Sequence, residues 1–194
     1  MRADFFKRIL AYVVDYIIIT VVLSLITMSV DIGSDIVKSA NDLMSKYQSG
    51  EITIEEYSEQ VMPLNYELTK RKLPVNIATS VVMIGYYIVF TYFNRGQTLG
   101  KKIFKIRVVN DNGDRPSILS ILVRGLFIYG IVTTLYSTIS INFLGMNDFN
   151  YSVSVISAIE SMIIVVCVIM MLYKKDGRGL HDIIAKTKVI REER

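Results

Sequence analysis

Long apolar runs alternate with polar segments along the chain, and four of these runs are long enough to cross a lipid bilayer. They cover about residues 9–30, 75–93, 118–141 and 152–173. A helix needs about 20 predominantly apolar residues to span the hydrocarbon core. The pattern therefore predicts an all-α integral membrane protein, with a four-transmembrane-helix bundle in one domain over residues 1–194.

Basic residues are concentrated in the connections on one side of this predicted bundle. Segments 1–8, 94–117 and 174–194 contain 16 Lys and Arg, whereas segments 31–74 and 142–151 contain five. Lys and Arg are enriched in the cytoplasmic loops of membrane proteins. Both termini are therefore expected in the cytoplasm.

The first outer connection, residues 31–73, is long and acidic, and its apolar residues recur at helical spacing. It contains eight Asp and Glu against five Lys and Arg. Thr53 and Glu56 have the spacing of a capping box, which marks the start of a helix. Pro63 is expected to kink or end that helix. We expect an outer helical hairpin that lies over the bundle as a packed cap, with a binding role as the alternative.

Two short β-rich stretches lie in the cytoplasmic loop 94–117 and the cytoplasmic tail 174–194. The sequence KIRVV precedes the turn-forming NDNGD, and TKVI lies close to the C-terminus. An exposed strand edge is stabilised when another strand pairs with it. We expect a short cytoplasmic β pairing of about 105–109 with 186–190.

Composition narrows the class of protein further. Hydrophobic residues make up 52% of the chain, and the mean hydropathy is +0.41. The net charge of +4 does not indicate nucleic acid binding, because the basic residues flank the apolar runs. Cys167 is the one cysteine and is interpreted as a packing residue. We find no metal-binding cluster, cofactor motif or nucleophile motif, and no enzymatic activity is expected.

Asp15 is a carboxylate within the first apolar run, where a charge costs about 2.5–3.5 kcal/mol on insertion scales. Arg124 lies at a matching depth in the third run, so an ion pair between the two is reasonable. Arg8 is seven residues before Asp15, on the same helix face, and is the other candidate partner. Such a pair is either structural or part of a cation or proton path.

Three further ionisable residues complete the candidate site. Glu160 lies near the centre of the fourth run, with Tyr129 or Thr133 as possible hydrogen-bond partners. It is either a protonated structural residue or an ion or proton site. If the apolar tail packs upward, Asp182 can meet Arg8, Arg107 or Arg124. His181 is expected to be a surface residue, with pH sensing as the alternative.

Four segments resemble the RDD family of membrane proteins, which is named for one arginine and two aspartates. They are KRILAYVVD, RGQTLGKKIFKIRVVNDNGDRPS, LVRG and GRGLHDIIAKTKVI. The resemblance implies a multi-pass protein of the bacterial or archaeal inner membrane, related to transport, with sodium/proton antiport reported for some members. It also implies that Arg8, Asp15 and Asp182 form the named triad, with Arg124 beside them.

Two functions remain open at this point. In the first, the protein is a cation/proton antiporter in which Asp15, with Glu160 as a second candidate, exchanges H⁺ for Na⁺. Four spans enclose little polar space, so this function is expected to need a homodimer. In the second, the protein is a membrane scaffold or accessory subunit that binds a protein partner through its outer hairpin or its basic inner face.

Overall fold

The computed structural model of the protein describes residues 2–28 and 33–192. These residues are mostly helical, with one small antiparallel sheet. In chain order the elements are α1 (Phe5–Met28), α2 (Ser34–Gln48), α3 (Ile54–Arg71), α4 (Leu73–Ile84), a π-helical segment (Gly85–Phe90), α5 (Thr91–Phe93), α6 (Leu99–Ile103), β1 (Ile106–Asn110), α7 (Ile118–Ile128), α8 (Ile131–Ser140), α9 (Met146–Tyr173), α10 (Leu180–Ile184) and β2 (Thr187–Arg191).

Three helical stretches are long and apolar enough to cross a membrane. They are α1, the continuous helix Leu73–Phe93, and α9. Only 17% of the most apolar part of each stretch is buried inside the bundle, so most of its apolar surface is available to lipid. The second span agrees closely with its predicted bounds. The fourth begins at Met146 rather than at residue 152, and residues 29 and 30 of the predicted first span lie outside the described residues.

The predicted third span, 118–141, is wrong as a single straight helix. It forms α7 and α8, whose axes differ in direction by 79°. Between them Gly130 adopts the left-handed conformation, with φ 68° and ψ 16°, which glycine reaches without a steric penalty. Continuous hydropathy concealed this break, because a single glycine barely changes the apolar character of the run.

The outer connection forms the expected helical hairpin from α2 and α3, which pack against each other. The Thr53 backbone N–H donates to Glu56 Oε2 at 2.8 Å, and the Glu56 N–H donates to Thr53 Oγ1 at 3.2 Å. This reciprocal pair confirms the predicted capping box. Pro63 does not end the helix, since α3 continues to Arg71.

The two chain ends meet at one end of the bundle. β1 pairs with β2 in antiparallel register, with Ile106 opposite Arg191, one residue from the predicted pairing. The Ala3 N–H donates to the Val189 carbonyl at 3.0 Å, which joins the N-terminus to the same sheet. A buried apolar cluster beneath the sheet fixes the start of α1 against it; its members are Ala3, Ala11, Ile106, Val108 and Val189.

The opposite end of the bundle holds the outer hairpin. The Tyr66 hydroxyl of α3 donates to the Leu144 carbonyl, just after α8, at 2.8 Å. The Tyr66 ring also packs edge-on against Phe149 near the start of α9, with the ring centroids 5.5 Å apart. The hairpin is therefore held on the bundle by the segment that joins α8 to α9.

We predict that Gly130→Ala destabilises the protein, because an alanine in the left-handed conformation costs about 1–2 kcal/mol. The midpoint of thermal unfolding of the detergent-purified chain should fall by roughly 2–8 °C. Gly145→Ala is the matched control, since its added Cβ meets nothing within 4 Å and its backbone is extended. An unchanged unfolding midpoint for Gly130→Ala would contradict the left-handed conformation at the break between α7 and α8.

Candidate functional site

Asp182 bridges two arginines where the chain ends meet, and we call this group the Asp182 bridge. Its Oδ2 accepts from Arg8 Nη2 of α1 at 2.5 Å, and its Oδ1 accepts from Arg124 Nη1 of α7. The Asp182 side chain is completely buried. Of the three arginines that Asp182 was expected to meet if the tail packs upward, Arg8 and Arg124 contact it, and no ion pair with Arg107 is present among the described residues. One carboxylate thus connects the first helix, the broken helix pair and the C-terminal segment.

Local structure around α10 holds this carboxylate in place. Asp182 Oδ2 also accepts the Gly179 N–H at 3.2 Å, which caps the start of α10. The Gly177 carbonyl accepts Arg8 Nη1 at 2.5 Å, so Arg8 contacts both the side chain and the backbone of this segment. These contacts fix the tail against α1 and α7, and they explain why an apolar segment with a buried aspartate follows the last span.

Asp15 forms no ion pair with Arg124 or Arg8 among the described residues, so the predicted pair is wrong. Its carboxylate instead accepts three hydrogen bonds from neutral donors. They come from the Tyr86 hydroxyl at 2.6 Å, the Thr98 hydroxyl at 2.5 Å and the Gly100 N–H at 2.7 Å. Two or three such donors satisfy a buried carboxylate without a cation. Asp15 therefore holds the loop before α6 against α1.

The backbones of α6 and α1 also lie very close together where Asp15 contacts the start of α6. A Cβ added to Gly100 would overlap the Ala11 carbonyl oxygen and would lie 2.8 Å from Asp15 Oδ1. The Thr98 side chain also accepts the Lys101 N–H at 3.3 Å and caps α6. These contacts explain the segment GQTLGK. Gly100 allows α6 to approach α1 closely, and Thr98 both caps α6 and donates a hydrogen bond to Asp15.

A cavity of about 140 Å³ separates Asp15 from the Asp182 bridge. Its polar lining comes from four helices and from the junction between α7 and α8, and its apolar lining comes mainly from α7 and α9. The polar members are Arg8, Tyr12, Asp15, Lys101, Arg124, Tyr129 and His181. Arg124 and Asp15 therefore face a common space, although they are not paired with each other.

Lys101 lies in the loop segment that resembles the RDD family, but the sequence did not indicate it as a charged residue of this site. It is only 8% exposed, and its Nζ donates to the Tyr129 hydroxyl at 3.1 Å. No carboxylate of the described residues forms an ion pair with it. In the sequence it is one of several loop lysines, and its adjacent neighbour Lys102 is exposed. The position of Lys101 directly after Gly100 is the signal that the sequence offers. That position implies burial only when the packing of α6 against α1 is known.

His181 is buried, with 3% of its surface exposed, so its predicted surface position is wrong. Its Nε2 lies 3.4 Å from Asp182 Oδ2. Burial lowers the pKa of His181 strongly, and the positive charges of Arg124, Arg8 and Lys101 lower it further. The imidazole is therefore neutral in the folded protein near neutral pH.

Glu160 lies apart from the Asp182 bridge, at the break between α7 and α8. Its Oε2 accepts from the Thr133 hydroxyl at 2.5 Å and from the Thr133 N–H at 3.3 Å, in the first turn of α8. Thr133 was one of its two expected partners. Its Oε1 is buried and has no hydrogen-bond partner in the part of the chain that the structure describes. A carboxylate at a helix N-terminus is stabilised by the exposed N–H groups and the helix dipole.

The fold and the site together define a class of protein. It is a helical membrane protein whose spans are joined at one end by a buried Arg–Asp–Arg bridge and are interrupted by a broken helix pair. The chain belongs to the RDD family, whose profile matches residues 2–186. It is 27% identical over 188 residues to the uncharacterized protein YxaI of Bacillus subtilis strain 168, covering 97% of this chain and 96% of that protein. No solved structure matches the chain.

We predict that Gly100→Ala destabilises the protein by about 1–3 kcal/mol, the range for overpacking a close contact. The added Cβ must displace the Asp15 carboxylate or the Ala11 backbone. Thermal unfolding of the full chain in detergent measures this effect. Gly85→Ala serves as the control because its Cβ meets nothing within 4 Å. Equal midpoints for the two variants would contradict the close approach of α6 to α1.

We predict that His181 makes stability depend on pH. Its pKa is lowered on folding from the ordinary value of 6.5, so below pH 6.5 the unfolded chain binds a proton that the folded chain excludes. This contribution to stability is therefore fully present above pH 6.5 and is lost as the pH falls, by about 1.4 kcal/mol per pH unit.

The measurement is the unfolding free energy of the wild type and of His181→Gln between pH 7.5 and 5.5. His181 is the one histidine in the chain, so the difference in slope isolates its titration. The variant should show the shallower slope. Identical slopes would show that His181 titrates normally in the folded protein and is therefore not buried beside the bridge.

Proposed function

We propose that the protein is a transporter that exchanges protons for monovalent cations, with Glu160 as the group that is alternately protonated and ionised. The observation that carries this proposal is the position of Glu160 at the break between α7 and α8. Discontinuous helices in secondary transporters place polar groups near the centre of the membrane. Ionisable residues at such depth commonly mark ion or proton paths.

The orientation proposed for this transport follows from the contacts at the two ends of the bundle. Arg124 on α7 contacts the end that holds both chain termini, and Leu144 after α8 contacts the outer hairpin. The broken pair would then connect the two sides as a fourth crossing. Both termini would lie on one side, and the excess of Lys and Arg would make that side the cytoplasm of a bacterial or archaeal cell.

The exchange step requires only one proton and one monovalent cation. Protonated Glu160 gives up H⁺ from its carboxyl group, and the resulting carboxylate binds Na⁺ or another monovalent cation through oxygen. Oε1 has no hydrogen-bond partner among the described residues, and Thr133 Oγ1 lies 2.5 Å from the other carboxylate oxygen. Loss of the cation and return of the proton restore the starting state with no other reactant.

Asp15 is less suited to this role than the sequence indicated. All three of its hydrogen bonds come from groups that also fix the loop before α6, so its release would require that loop to move. Glu160 offers a free oxygen without such a rearrangement. We therefore place the exchange at Glu160 and give Asp15 a structural role. A homodimer would provide the polar space that one bundle of this size encloses poorly.

A second candidate function is a non-transporting scaffold, and the outer hairpin favours it. Five of its apolar side chains are exposed by 39–52%, and they are Val37, Met44, Tyr47, Ile54 and Met62. Exposed apolar groups of this kind are available to a protein partner or to the membrane surface. In this alternative the charged residues within the bundle serve only to hold its helices together.

We predict that Glu160→Gln abolishes cation-dependent proton movement while the protein remains folded. The variant keeps an oxygen that accepts from Thr133 but has no proton to exchange. The measurement uses the full chain in liposomes with a trapped pH dye, an imposed proton gradient and added Na⁺, K⁺ or Li⁺. Asp148→Asn, an exposed acidic residue on the same helix, is the matched control and should retain full flux.

Flux that survives Glu160→Gln would exclude Glu160 as the carrier. Wild-type protein that is folded and moves no protons with any of the three cations would contradict transport and favour the scaffold. Thermal unfolding of each variant in detergent separates lost flux from lost folding.

A further inference from the structure

The cavity beside the Asp182 bridge contains more positive than negative charge. Arg8, Lys101 and Arg124 contribute three positive charges, while Asp15 and Asp182 contribute two negative ones. His181 is neutral, because burial and the neighbouring cations lower its pKa. The residues that line this space, taken together with Asp182, therefore carry one more positive than negative charge; Glu160, the buried carboxylate of α9, does not line it.

The unbalanced charge is that of Lys101. Asp182 is occupied by Arg8 and Arg124, and Asp15 is occupied by its three neutral donors. The Lys101 ammonium has three N–H donors, of which one is directed to the Tyr129 hydroxyl. A buried charge without a partner is strongly unfavourable, and a bound anion would remove that penalty.

A second unsatisfied donor lines the same cavity. Arg124 is 6% exposed, and its buried Nε has no hydrogen-bond partner among residues 2–28 and 33–192. Its Nη1 is used by Asp182, so Nε is free to donate elsewhere. Buried guanidinium N–H groups are almost always satisfied in native proteins. Lys101 and Arg124 thus both line this cavity, and each has a charged N–H group for which no acceptor is found among the described residues.

The size and walls of the cavity limit what can bind there. A water molecule needs roughly 10–15 Å³ by the measure that gives this cavity about 140 Å³, so a small oxyanion fits. Most of the cavity surface is apolar, including the wall formed by Ile164, Val168 and Met171 of α9, so the charged groups occupy a small part of it. Tyr12, which also lines the cavity, is 37% exposed on the outer surface of α1, so the space reaches the side of the bundle.

We propose that this cavity binds one phosphate group, with Lys101 and Arg124 as its charged donors. Oxyanions of phosphorus accept several hydrogen bonds and suit ammonium and guanidinium groups together. The phosphate belongs either to the headgroup of an anionic phospholipid or to a free phosphate ion. This site is separate from Glu160, and its occupancy is measured without any transport assay.

The test is the thermal unfolding of the full chain in two arms. In the first, inorganic phosphate is titrated into protein in neutral detergent at an ionic strength held constant with chloride. In the second, the protein is compared in nanodiscs of phosphatidylcholine alone and with added phosphatidylglycerol. A ligand that binds only the folded state raises the unfolding midpoint in a saturable way.

We expect a saturable rise with phosphate, with phosphatidylglycerol, or with both, and Lys101→Gln should weaken the apparent affinity by roughly ten- to hundredfold. Lys102→Gln is the matched control, because Lys102 is the exposed neighbour and should leave the affinity unchanged. A rise in both arms identifies the phosphate group itself as the ligand. A rise with phosphatidylglycerol alone identifies the lipid headgroup.

No stabilisation of the wild type in either arm would overturn the proposal, as would an equal response of Lys101→Gln and the wild type.

If Lys101→Gln does not fold, Lys101→Arg and Tyr129→Phe replace it. Lys101→Arg keeps the charge and should keep phosphate binding. Tyr129→Phe removes the hydroxyl that positions the ammonium and should weaken it. If Tyr129→Phe bound phosphate as tightly as the wild type and Lys102→Gln lost binding, the anion would lie outside the cavity. That result would refute the proposed site.

Discussion

The shared contact of one buried aspartate with two arginines is the interaction on which the rest of this structure depends. Asp182 is completely buried and accepts from Arg8 and Arg124, which come from opposite parts of the chain. Separating these charges in a low-dielectric interior would leave at least one of them unpaired, at a cost of about 3–5 kcal/mol. The bridge therefore holds the C-terminal segment, the first span and the broken helix pair in one arrangement.

The bridge also determines what the neighbouring residues can do. Because both arginines are occupied by Asp182, Asp15 is satisfied by neutral donors and joins the loop before α6 to α1. Lys101, which lies in α6 next to this contact, is brought into the cavity, where no carboxylate of the described residues forms an ion pair with it. Glu160 remains outside this network at the helix break, where its carboxylate has an unused oxygen. Three buried charges thus have three different environments within one small bundle.

Local patterns in the sequence predicted the parts of the fold that depend on local physics. Apolar runs gave three of the spans, the Thr53–Glu56 spacing gave the start of α3, and β-rich stretches gave the sheet to within one residue. The break at Gly130 escaped prediction because hydropathy averages over a run and is insensitive to the backbone conformation of one residue.

The charged site was harder to predict, because sequence spacing gives depth along a helix but not which helix faces lie together. Asp15 and Arg124 have matching depths and line one cavity, yet Arg124 pairs with Asp182 from the tail. His181 was expected at the surface because a single histidine is more often a surface residue than a pH sensor, and its burial depends on how the tail packs beneath the bundle. Tertiary packing of the terminal segment was the missing information in each case.

The most direct test of the bridge is a pair of double-mutant cycles on the unfolding free energy of the full chain. One combines Asp182→Asn with Arg8→Gln, and the other combines Asp182→Asn with Arg124→Gln. Groups in direct contact couple by roughly 0.5–3 kcal/mol, whereas independent sites are additive within about 0.5 kcal/mol. A shared carboxylate predicts coupling in both cycles. Additivity in either cycle would contradict the arrangement described here.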